Sequence, residues 1–213
     1  MAKVLVIGAS KGIGLETVKQ ALEAGHQVRA LARSAPRIPV SHAQLENMKG
    51  DALDRETVER ALDGIDAVIQ TLGISGGPDI LFKPIRLFSD STRILVAAME
   101  AKLIQRLICV TGLGAGNSRG KGNLLYNAVI GLILVRAYDD KTLQERIIRN
   151  STLDWVIARP GILTNKARTG RYKVLTDPRD WRTVFISRAD VADVLVKQIA
   201  EDTYLRQAPV LIG

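Results

Sequence analysis

Cysteine, histidine and aromatic residues are scarce in this chain, and each shortage excludes a kind of protein. The chain has one cysteine and two histidines among 213 residues, so we expect no disulfide framework and no metal site. Aromatic side chains make up 4% of it and provide no stacking platform, so we expect no nucleic-acid partner. The longest apolar run, residues 128–135, is too short to span a bilayer, which predicts no membrane association.

Basic residues outnumber acidic ones, with 30 Lys and Arg against 22 Asp and Glu. The resulting net charge of +8 has two interpretations: a solvated basic surface, or attraction to a polyanionic ligand such as a phosphorylated cofactor. The chain starts directly with a strand pattern, so we expect no signal peptide. We expect the lone Cys109 to be a small buried core residue, and together these features favour a cytoplasmic protein.

Short apolar runs rich in Val, Ile and Leu alternate with helical patterns along the chain. Because the first run is continuous rather than alternating, we expect parallel strands that are covered on both faces. The predicted strands are residues 3–8, 26–33, 44–49, 66–72, 106–111, 155–159 and 209–212, and the predicted helices are residues 12–24, 55–62, 84–101, 123–150 and 187–200. The prediction for residues 1–213 is therefore a single α/β domain, a Rossmann-type doubly wound parallel sheet in three layers.

A glycine-rich turn lies between the first predicted strand and the first predicted helix. Gly8 permits a tight turn, Gly12 lets the backbone approach a pyrophosphate, and Gly14 lets the helix pack close to the strand. The N–H groups and the dipole at the helix start then favour a diphosphate. The turn predicts a dinucleotide site whose contacts are Gly8, Ser10, Lys11, Gly12, Ile13 and Gly14.

The residue that follows the second strand predicts the form of the coenzyme. An NAD site usually places an acidic residue there, to bind the 2′-hydroxyl of the adenine ribose. This strand ends instead at Arg33, which can pair with a 2′-phosphate through two charge-assisted hydrogen bonds, and Lys11 can reach the same phosphate. The alternative is that both are solvated surface cations. We expect NADP(H) to be preferred over NAD(H).

Two further turns supply candidate cofactor contacts. Asp51, with Ala52 after it, follows the third strand and can put a carboxylate near the adenine amino group. An ordinary turn residue is an equally good interpretation of Asp51. Leu72 and Gly73 end the fourth strand, where the backbone can pass over the cofactor ribose.

At these residues the chain resembles the short-chain dehydrogenase/reductase superfamily, and nearly its whole length fits. The later segments resemble the atypical branch, namely NAD(P)H-binding proteins similar to biliverdin reductase B (flavin reductase) and NmrA-like proteins. The matching stretches are residues 50–54, 64–69, 153–161 and 186–192. Each stretch is a loose motif, and their order and spacing together are more specific.

The superfamily's usual catalytic pair is a Tyr four residues before a Lys, with a hydroxyl residue on the preceding strand. Lys141 followed by Glu145 resembles its Lys-x-x-x-Glu arrangement, which leaves Ala137 where the Tyr belongs. Thr111 stands at the hydroxyl position, and Tyr138 is the nearest phenol, one residue short of the usual spacing. The resemblance implies that Lys141 contacts the nicotinamide ribose. A surface pair with Glu145 is an equally good interpretation of Lys141.

Without that Tyr, hydride transfer to a flat acceptor suits the chain better than ketone reduction, which needs a proton donor at the carbonyl oxygen. The predicted acceptor cleft lies beyond the carboxyl ends of the strands, between the loops of residues 73–81, 112–122 and 160–171. The resemblance implies that Pro160, Gly161 and Ile162 pass the nicotinamide amide. A group of apolar residues has three interpretations, of which helix core is favoured over cleft lining or a subunit contact. These residues are Leu124, Leu125, Val129, Leu132 and Ile133.

Three functions are compatible with these residues. The leading prediction is an NADPH-dependent oxidoreductase that reduces a small planar or quinonoid acceptor of the flavin, quinone or bilin type. The second is a non-catalytic NADP(H) sensor of the NmrA-like kind, with a protein partner. The third is a sugar-nucleotide epimerase or dehydratase, which ranks lowest because such enzymes resemble longer chains with the Tyr–Lys pair. We expect a monomer or a small homo-oligomer.

Overall fold

The computed structural model describes residues 1–74, 85–129 and 134–213, except for the side chain of Val129. Its strands are β1 Lys3–Ile7, β2 Gln27–Ala32, β3 Leu45–Lys49, β4 Ala67–Gln70, β5 Arg106–Val110, β6 Asp154–Pro160, β7 Ile162–Thr164, β8 Lys173–Leu175, β9 Phe185–Ser187 and β10 Val210–Ile212. Its helices are α1 Gly12–Glu23, α2 Arg55–Ala61, α3 Leu87–Ala101, α4 Leu124–Val129, α5 Val135–Arg149 and α6 Arg188–Lys197. Short 3₁₀ turns cover Ala35–Arg37 and Gly116–Ser118.

Eight strands form one sheet in the order β3-β2-β1-β4-β5-β6-β10-β8. All neighbours are parallel except β10 and β8, which pair antiparallel at one edge. The strand order reverses between β1 and β4, because the chain first moves outward to β3 and then continues on the other side of β1. In sheets of this kind the crevice at the reversal is the usual ligand-binding position. A separate parallel pair is formed by β7 and β9.

Strand β1 shows how both faces of the sheet are covered. Val4 and Val6 belong to one buried apolar cluster, which α1 and α6 complete. Leu5 and Ile7 point the other way, into a second cluster that α2, α3 and α5 complete. The continuous apolar pattern thus arises because alternate residues fill two different cores. The single-domain, three-layer Rossmann-type sheet is confirmed.

The helix predicted over residues 84–101 begins at Leu87, and Pro84 itself lies outside the described residues. Arg86 stands at the N-cap position and provides no capping side chain. The carboxylate of Asp140, on α5, accepts from the backbone N–H of Phe88 at 2.8 Å and of Ser89 at 3.4 Å instead. The start of α3 is therefore set by a contact between two helices. Because the two helices are far apart in the sequence, local sequence signals could not predict this start.

Where one long helix was predicted, over residues 123–150, the structure has α4 and α5, and residues 130–133 lie outside the described residues. The side-chain oxygen of Asn123 caps α4 by accepting from the N–H of Tyr126 at 2.8 Å. Leu124 and Leu125 are 88% and 76% exposed, so their prediction as helix core is wrong. Their apolar side chains favour a buried position when the sequence alone is considered, but no element of the described chain packs over them.

The stretch between β6 and α6 contains three short strands that were not predicted, since each has only three residues and no usable periodicity. β7 occupies part of the segment 160–171, which was predicted as a loop. The helix predicted over residues 187–200 is present as α6, with Ser187 as its N-cap. The Ser187 hydroxyl accepts from the N–H of Asp190 at 2.9 Å, as the N-cap residue of a capping box does.

Candidate functional site

The turn between β1 and α1 is pressed against the carboxyl end of β4. A Cβ added to Gly8 would lie 2.9 Å from the carbonyl oxygen of Thr71, and one added to Gly14 would lie 2.2 Å from the carbonyl oxygen of Gly8. Thr71 directly follows β4, and its hydroxyl donates to the carbonyl oxygen of Ile7 at 2.9 Å. Side chains at either glycine would therefore push β1, α1 and β4 apart.

Gly12 differs from these two glycines because there is space beside it. A Cβ added here would be 3.7 Å from its nearest neighbours, the Cδ and Nε atoms of Arg188. Lys11, at the N-cap position, is exposed, and its side chain does not cap this first turn of α1. Ser10 and Ile13 flank the turn and are half-buried. The backbone N–H groups of the helix start can therefore hold an anion such as a diphosphate.

The ends of β2 and β3 lie next to each other, because the Gly50 N–H donates to the Ala32 carbonyl oxygen at 3.2 Å. Arg33 is the first residue after β2 and is exposed. The carboxylate of Asp51 accepts from the N–H of Leu53 at 3.0 Å, which is the turn role considered for this residue. The structure thus brings Arg33 and Asp51 to one edge of the sheet.

The fourth strand is followed by two further candidate contacts on the same edge. Leu72 is half-buried and Gly73 is exposed, directly after Thr71. Ala52, after the third strand, is buried in the core beneath α2. Residues 75–81 of the first predicted cleft loop lie outside the described residues.

Beyond the end of β5, helix α5 contacts Thr111 from two sides. The Lys141 ammonium donates to the Thr111 carbonyl oxygen at 2.5 Å, and the Thr111 hydroxyl donates to Glu145 Oε1 at 2.8 Å. The Lys141 Nζ atom lies 4.8 Å from the centre of the Phe88 ring. Burial lowers the pKa of Lys141 to about 8, an effect that the Cys109 thiol and the Glu145 carboxylate oppose. The predicted pair of Thr111 and Lys141 is thus in direct contact.

Glu145 is buried, so its interpretation as part of a surface pair with Lys141 is wrong. It accepts from Arg159 Nε at 2.9 Å and from Arg159 Nη2 at 2.5 Å, and both residues are at most 2% exposed. The guanidinium also donates to the side-chain oxygen of Asn117 at 2.7 Å and contacts the ring of Trp181. Arg159 is a charged residue among the apolar residues of β6, where an arginine is rarely buried without a partner. This was the sequence signal for an acidic partner such as Glu145.

The position four residues before Lys141 is occupied by Ala137, which is buried. Tyr138, one residue on, makes a 3.3 Å hydroxyl–hydroxyl contact with Tyr126, whose hydroxyl donates to the Leu113 carbonyl oxygen at 2.8 Å. The Lys141 Nζ atom is 5.9 Å from the centre of the Tyr138 ring. Burial raises the pKa of Tyr138, which its hydrogen bond with Tyr126 opposes, so this phenol stays protonated near neutral pH.

The end of β6 lies beside the loop that follows β5. The Leu113 N–H donates to the carbonyl oxygen of Pro160 at 3.1 Å. Gly161 packs so closely on the Val184 carbonyl that a Cβ would be 2.2 Å from its oxygen, and Ile162 begins β7. These residues and Thr111 therefore share one wall of the crevice.

The family model described as NAD(P)H-binding matches residues 8–202, which include the glycine turn and all of the walls described above. This chain belongs to that NAD(P)H-binding family. Its fold agrees with the resemblance to atypical short-chain dehydrogenases/reductases and to biliverdin reductase B-like proteins.

Several known proteins are similar to this family member over most of their length. YhfK of Bacillus subtilis strain 168, named an uncharacterized sugar epimerase, is 30% identical over 205 residues, 93% of this chain and 88% of YhfK. ChuY, described as an anaerobilin reductase from Escherichia coli O157:H7, is 28% identical with a TM-score of 0.79, over 99% of this chain and 96% of that one. A short-chain dehydrogenase/reductase from Veillonella parvula, solved with NADP, has a TM-score of 0.84 at 17% identity, over 100% of this chain and 94% of that one, which shows the fold alone.

Within the described ranges, every helix is too short or too polar to cross a membrane. The same ranges contain no group of three His, Cys, Asp or Glu side chains able to hold a metal ion. Sequence reasoning missed three residues that shape this family member's crevice: Thr71, Arg159 and Arg188. Thr71 and Arg188 had no distinct signal, because a hydroxyl after a strand and a cation after a serine are both common.

Proposed function

We propose that this chain is an NADPH-dependent oxidoreductase that transfers a hydride to a small planar or quinonoid acceptor of the flavin, quinone or bilin type. It acts as one domain, with the acceptor between residues 73–81, 112–122 and 160–171. The observation that carries the proposal is that Lys141 lies beside Thr111 at the end of β5 while Ala137 stands four residues before it. The site thus has the ammonium of Lys141, but an alanine stands where the superfamily usually has a tyrosine.

The glycine turn fits a dinucleotide. Gly8 and Gly14 leave no room for side chains, whereas the space beside Gly12 is open towards Arg188. The N–H groups at the start of α1 would hold the diphosphate, with Lys11 next to it. When bound, the coenzyme supplies the hydride.

A preference for the phosphorylated coenzyme is supported by the end of β2. Arg33 is exposed there and stands where an acidic residue would favour a ribose hydroxyl. The nearby Asp51 carboxylate is engaged by the Leu53 N–H, within its own turn. A 2′-phosphate at this edge would therefore meet Arg33, with Lys11 at the adjoining turn.

The walls of the crevice would then position the nicotinamide ring and its acceptor. Thr111 and Lys141 would lie at the ribose, and Pro160, Gly161 and Ile162 at the amide. Lys141 would hold a proton at Nζ and give it to the acceptor after hydride transfer, because its lowered pKa of about 8 makes it a proton donor near neutral pH. A conjugated acceptor spreads the negative charge that hydride transfer leaves on it. Such an acceptor therefore does not need a phenol that protonates one particular oxygen. The similarity to ChuY, described as an anaerobilin reductase, supports a bilin-like acceptor.

The test is NADPH oxidation by the purified chain with flavin mononucleotide, menadione or biliverdin as acceptor, followed by NADPH absorbance. We expect turnover with at least one of them, and a higher kcat/KM for NADPH than for NADH. Lys141→Met should lower kcat by a larger factor than it raises the Kd for NADPH, because the ammonium would act in the chemical step as well as at the ribose. Tight NADPH binding without reduction of any acceptor would contradict the enzyme and support an NADP(H) sensor, which the missing phenol at Ala137 also favours.

YhfK is named a sugar epimerase, so epimerisation is the other chemistry to measure. An epimerase removes a proton from a sugar hydroxyl and returns it, which the phenol of the superfamily's Tyr–Lys pair normally does. Ala137 provides no group for this step. We therefore expect no interconversion when UDP-glucose is incubated with the chain and NAD, as monitored by sugar chromatography.

A further inference from the structure

Glu145 is one helical turn after Lys141, and both contact the same residue of the sheet. Lys141 binds the carbonyl oxygen of Thr111, and Glu145 binds its hydroxyl. The Thr111 proton is therefore already used inside the protein, at 2.8 Å from a carboxylate oxygen. Thr111 cannot at the same time donate that proton to a ligand.

Arg159 pairs with the Glu145 carboxylate through two parallel hydrogen bonds, the strongest geometry for such a pair. The remaining guanidinium N–H groups donate to the Asn117 side chain at 2.7 Å and to the Ala208 carbonyl oxygen at 3.3 Å. A buried ion pair of this kind is costly to desolvate and often adds little stability. The hydrogen bond of Glu145 with Thr111, at the end of β5, therefore points to a role other than stability.

Water is kept away from the Glu145 carboxylate by the backbone of Gly116. A Cβ added to Gly116 would lie 2.2 Å from Glu145 Oε2 and 2.8 Å from Arg159 Nη2. The Gly116 N–H is in turn held by the Thr142 hydroxyl, at 3.0 Å. With water excluded, the charge of Glu145 is weakly screened and acts on groups nearby.

Besides its ion-pair partners Arg159 and Arg149, the charge of Glu145 also acts on Lys141, one helical turn away. The groups that face it are the Cys109 thiol from β5, the rings of Phe88 from α3 and Tyr138 from α5, and the Asp140 and Glu145 carboxylates from α5. Asp140 is occupied by the N–H groups at the start of α3. Glu145 is thus the acidic group that both faces the ammonium and binds the residue to which Lys141 donates.

We propose that Glu145, held by Arg159, is a positioning residue: it fixes the Thr111 hydroxyl and keeps Lys141 charged as the site's proton donor. The second part rests on the proposed function, in which Lys141 protonates the acceptor. Burial alone favours the neutral amine of Lys141, whereas a proton donor must be the charged ammonium. The buried Glu145 carboxylate, one helical turn away, offsets the effect of burial and stabilises the ammonium.

The test measures the protonation of Lys141 in the protein without coenzyme, from the ¹³Cε chemical shifts of lysine-labelled chain, with Lys141→Arg to assign the signal. Glu145→Gln should lower the Lys141 pKa by about one pH unit, because one nearby opposite charge is lost. Glu59→Gln is the matched control, since Glu59 is a helix carboxylate that pairs with exposed Arg55 four residues away. Lys197, which Asp193 binds, serves as an internal reference whose signal should not move.

Glu145→Gln leaves the Arg159 guanidinium buried with less charge compensation, so a second variant is needed. Glu145→Gln/Arg159→Gln leaves no unpaired buried charge, and we expect the same direction of change for Lys141. An unchanged Lys141 signal in either folded variant would overturn the proposal. Failure of both variants to fold would also overturn it, because the ion pair would then be a structural requirement alone.

The pH profile of kcat/KM separates this inference from the proposed function. If both hold, the loss of activity at high pH moves to lower pH in Glu145→Gln, together with the Lys141 signal. If the Lys141 signal moves and the pH profile of kcat/KM does not, Lys141 is not the proton donor. The proposed chemistry then fails, while the effect of Glu145 on Lys141 stands. A wild-type chain that reduces no acceptor leaves the chemical-shift result decisive for Glu145.

Discussion

The hydroxyl of Tyr138 lies 2.9 Å from the point that a Cβ on Gly112 would occupy. The phenol thus fills the space over the backbone directly after Thr111. Tyr126 holds it there, since the two hydroxyl oxygens are 3.3 Å apart and the Tyr126 hydroxyl donates to the next carbonyl, that of Leu113. The loop after β5 and the start of α5 are therefore matched to each other through Gly112 and Tyr138.

Gly112→Ala should displace this phenol and cost about 1 kcal/mol of unfolding free energy, the value of one hydrogen bond. Tyr138→Phe removes the oxygen that the new methyl would meet, so Gly112→Ala should cost much less in that background. Urea unfolding of the four proteins of this double-mutant cycle measures the coupling. Gly73→Ala is the control, because its Cβ would meet no atom of the described residues within 4 Å. Additive effects of the two changes would show that the contact has no energetic consequence.

Arg33→Asp should weaken NADPH binding about 10- to 100-fold, the loss of a charge-assisted pair, and change NADH binding by less than about threefold. Equilibrium titration of coenzyme fluorescence gives both dissociation constants. Arg93→Asp carries the same change of charge at an exposed position of α3, where Arg93 pairs with Asp90. It should leave both constants nearly unchanged. Equal losses for the two coenzymes in Arg33→Asp would refute the role of Arg33.

Two glycines of the first turn, Gly12 and Gly14, should respond differently to a methyl group. Gly14→Ala meets the Gly8 carbonyl oxygen at 2.2 Å and should cost about 3 kcal/mol of unfolding free energy, as overpacking does. Gly12→Ala meets no atom of the described residues closer than 3.7 Å, and its φ of +60° costs about 1–2 kcal/mol for a residue with a side chain.

The coenzyme distinguishes the two glycine variants further. The Gly12 methyl would stand where a diphosphate is expected, so NADPH affinity should fall at least about tenfold in the folded Gly12→Ala protein. Urea unfolding and coenzyme titration, measured on the same samples, compare the effects. A Gly12→Ala variant that binds NADPH as tightly as the wild type would place the diphosphate elsewhere.

The sheet was predictable from the sequence because its signals are local. Val4, Leu5, Val6 and Ile7 are all apolar, which happens only when alternate residues enter two cores, and these residues do so. The glycine turn was equally readable, since its spacing and its place between strand and helix are visible in one stretch. Its role in coenzyme binding stays a prediction.

The missed features depend on residues far apart in the chain. Asp140 caps a helix that begins more than fifty residues earlier, at Leu87. Glu145 has the spacing of a surface pair with Lys141, yet its partner is Arg159 on the neighbouring strand. Only the fold brings these groups together, so a helix start and a buried charge pair could not be derived from local patterns.

The titration of Lys141 makes both the stability of the fold and the proposed chemistry depend on pH. Its pKa of about 8 in the folded chain is below the ordinary 10.5, because burial disfavours the ammonium. Between these two values the unfolded chain binds the extra proton and the folded chain does not. The Lys141 contribution to the free energy of unfolding should therefore rise with pH across this window and be constant below it.

Activity should change in the opposite direction, because the ammonium is the form that can give a proton to the acceptor. We expect kcat/KM to fall as pH rises through about 8. Lys141→Arg keeps a positive charge that does not titrate in this range, so its residual activity should show no such fall. The difference in unfolding free energy between wild type and Lys141→Arg, measured against pH, checks the stability effect. A kcat/KM that stays level through this range in the wild type would show that Lys141 is not the proton donor, whatever the acceptor is.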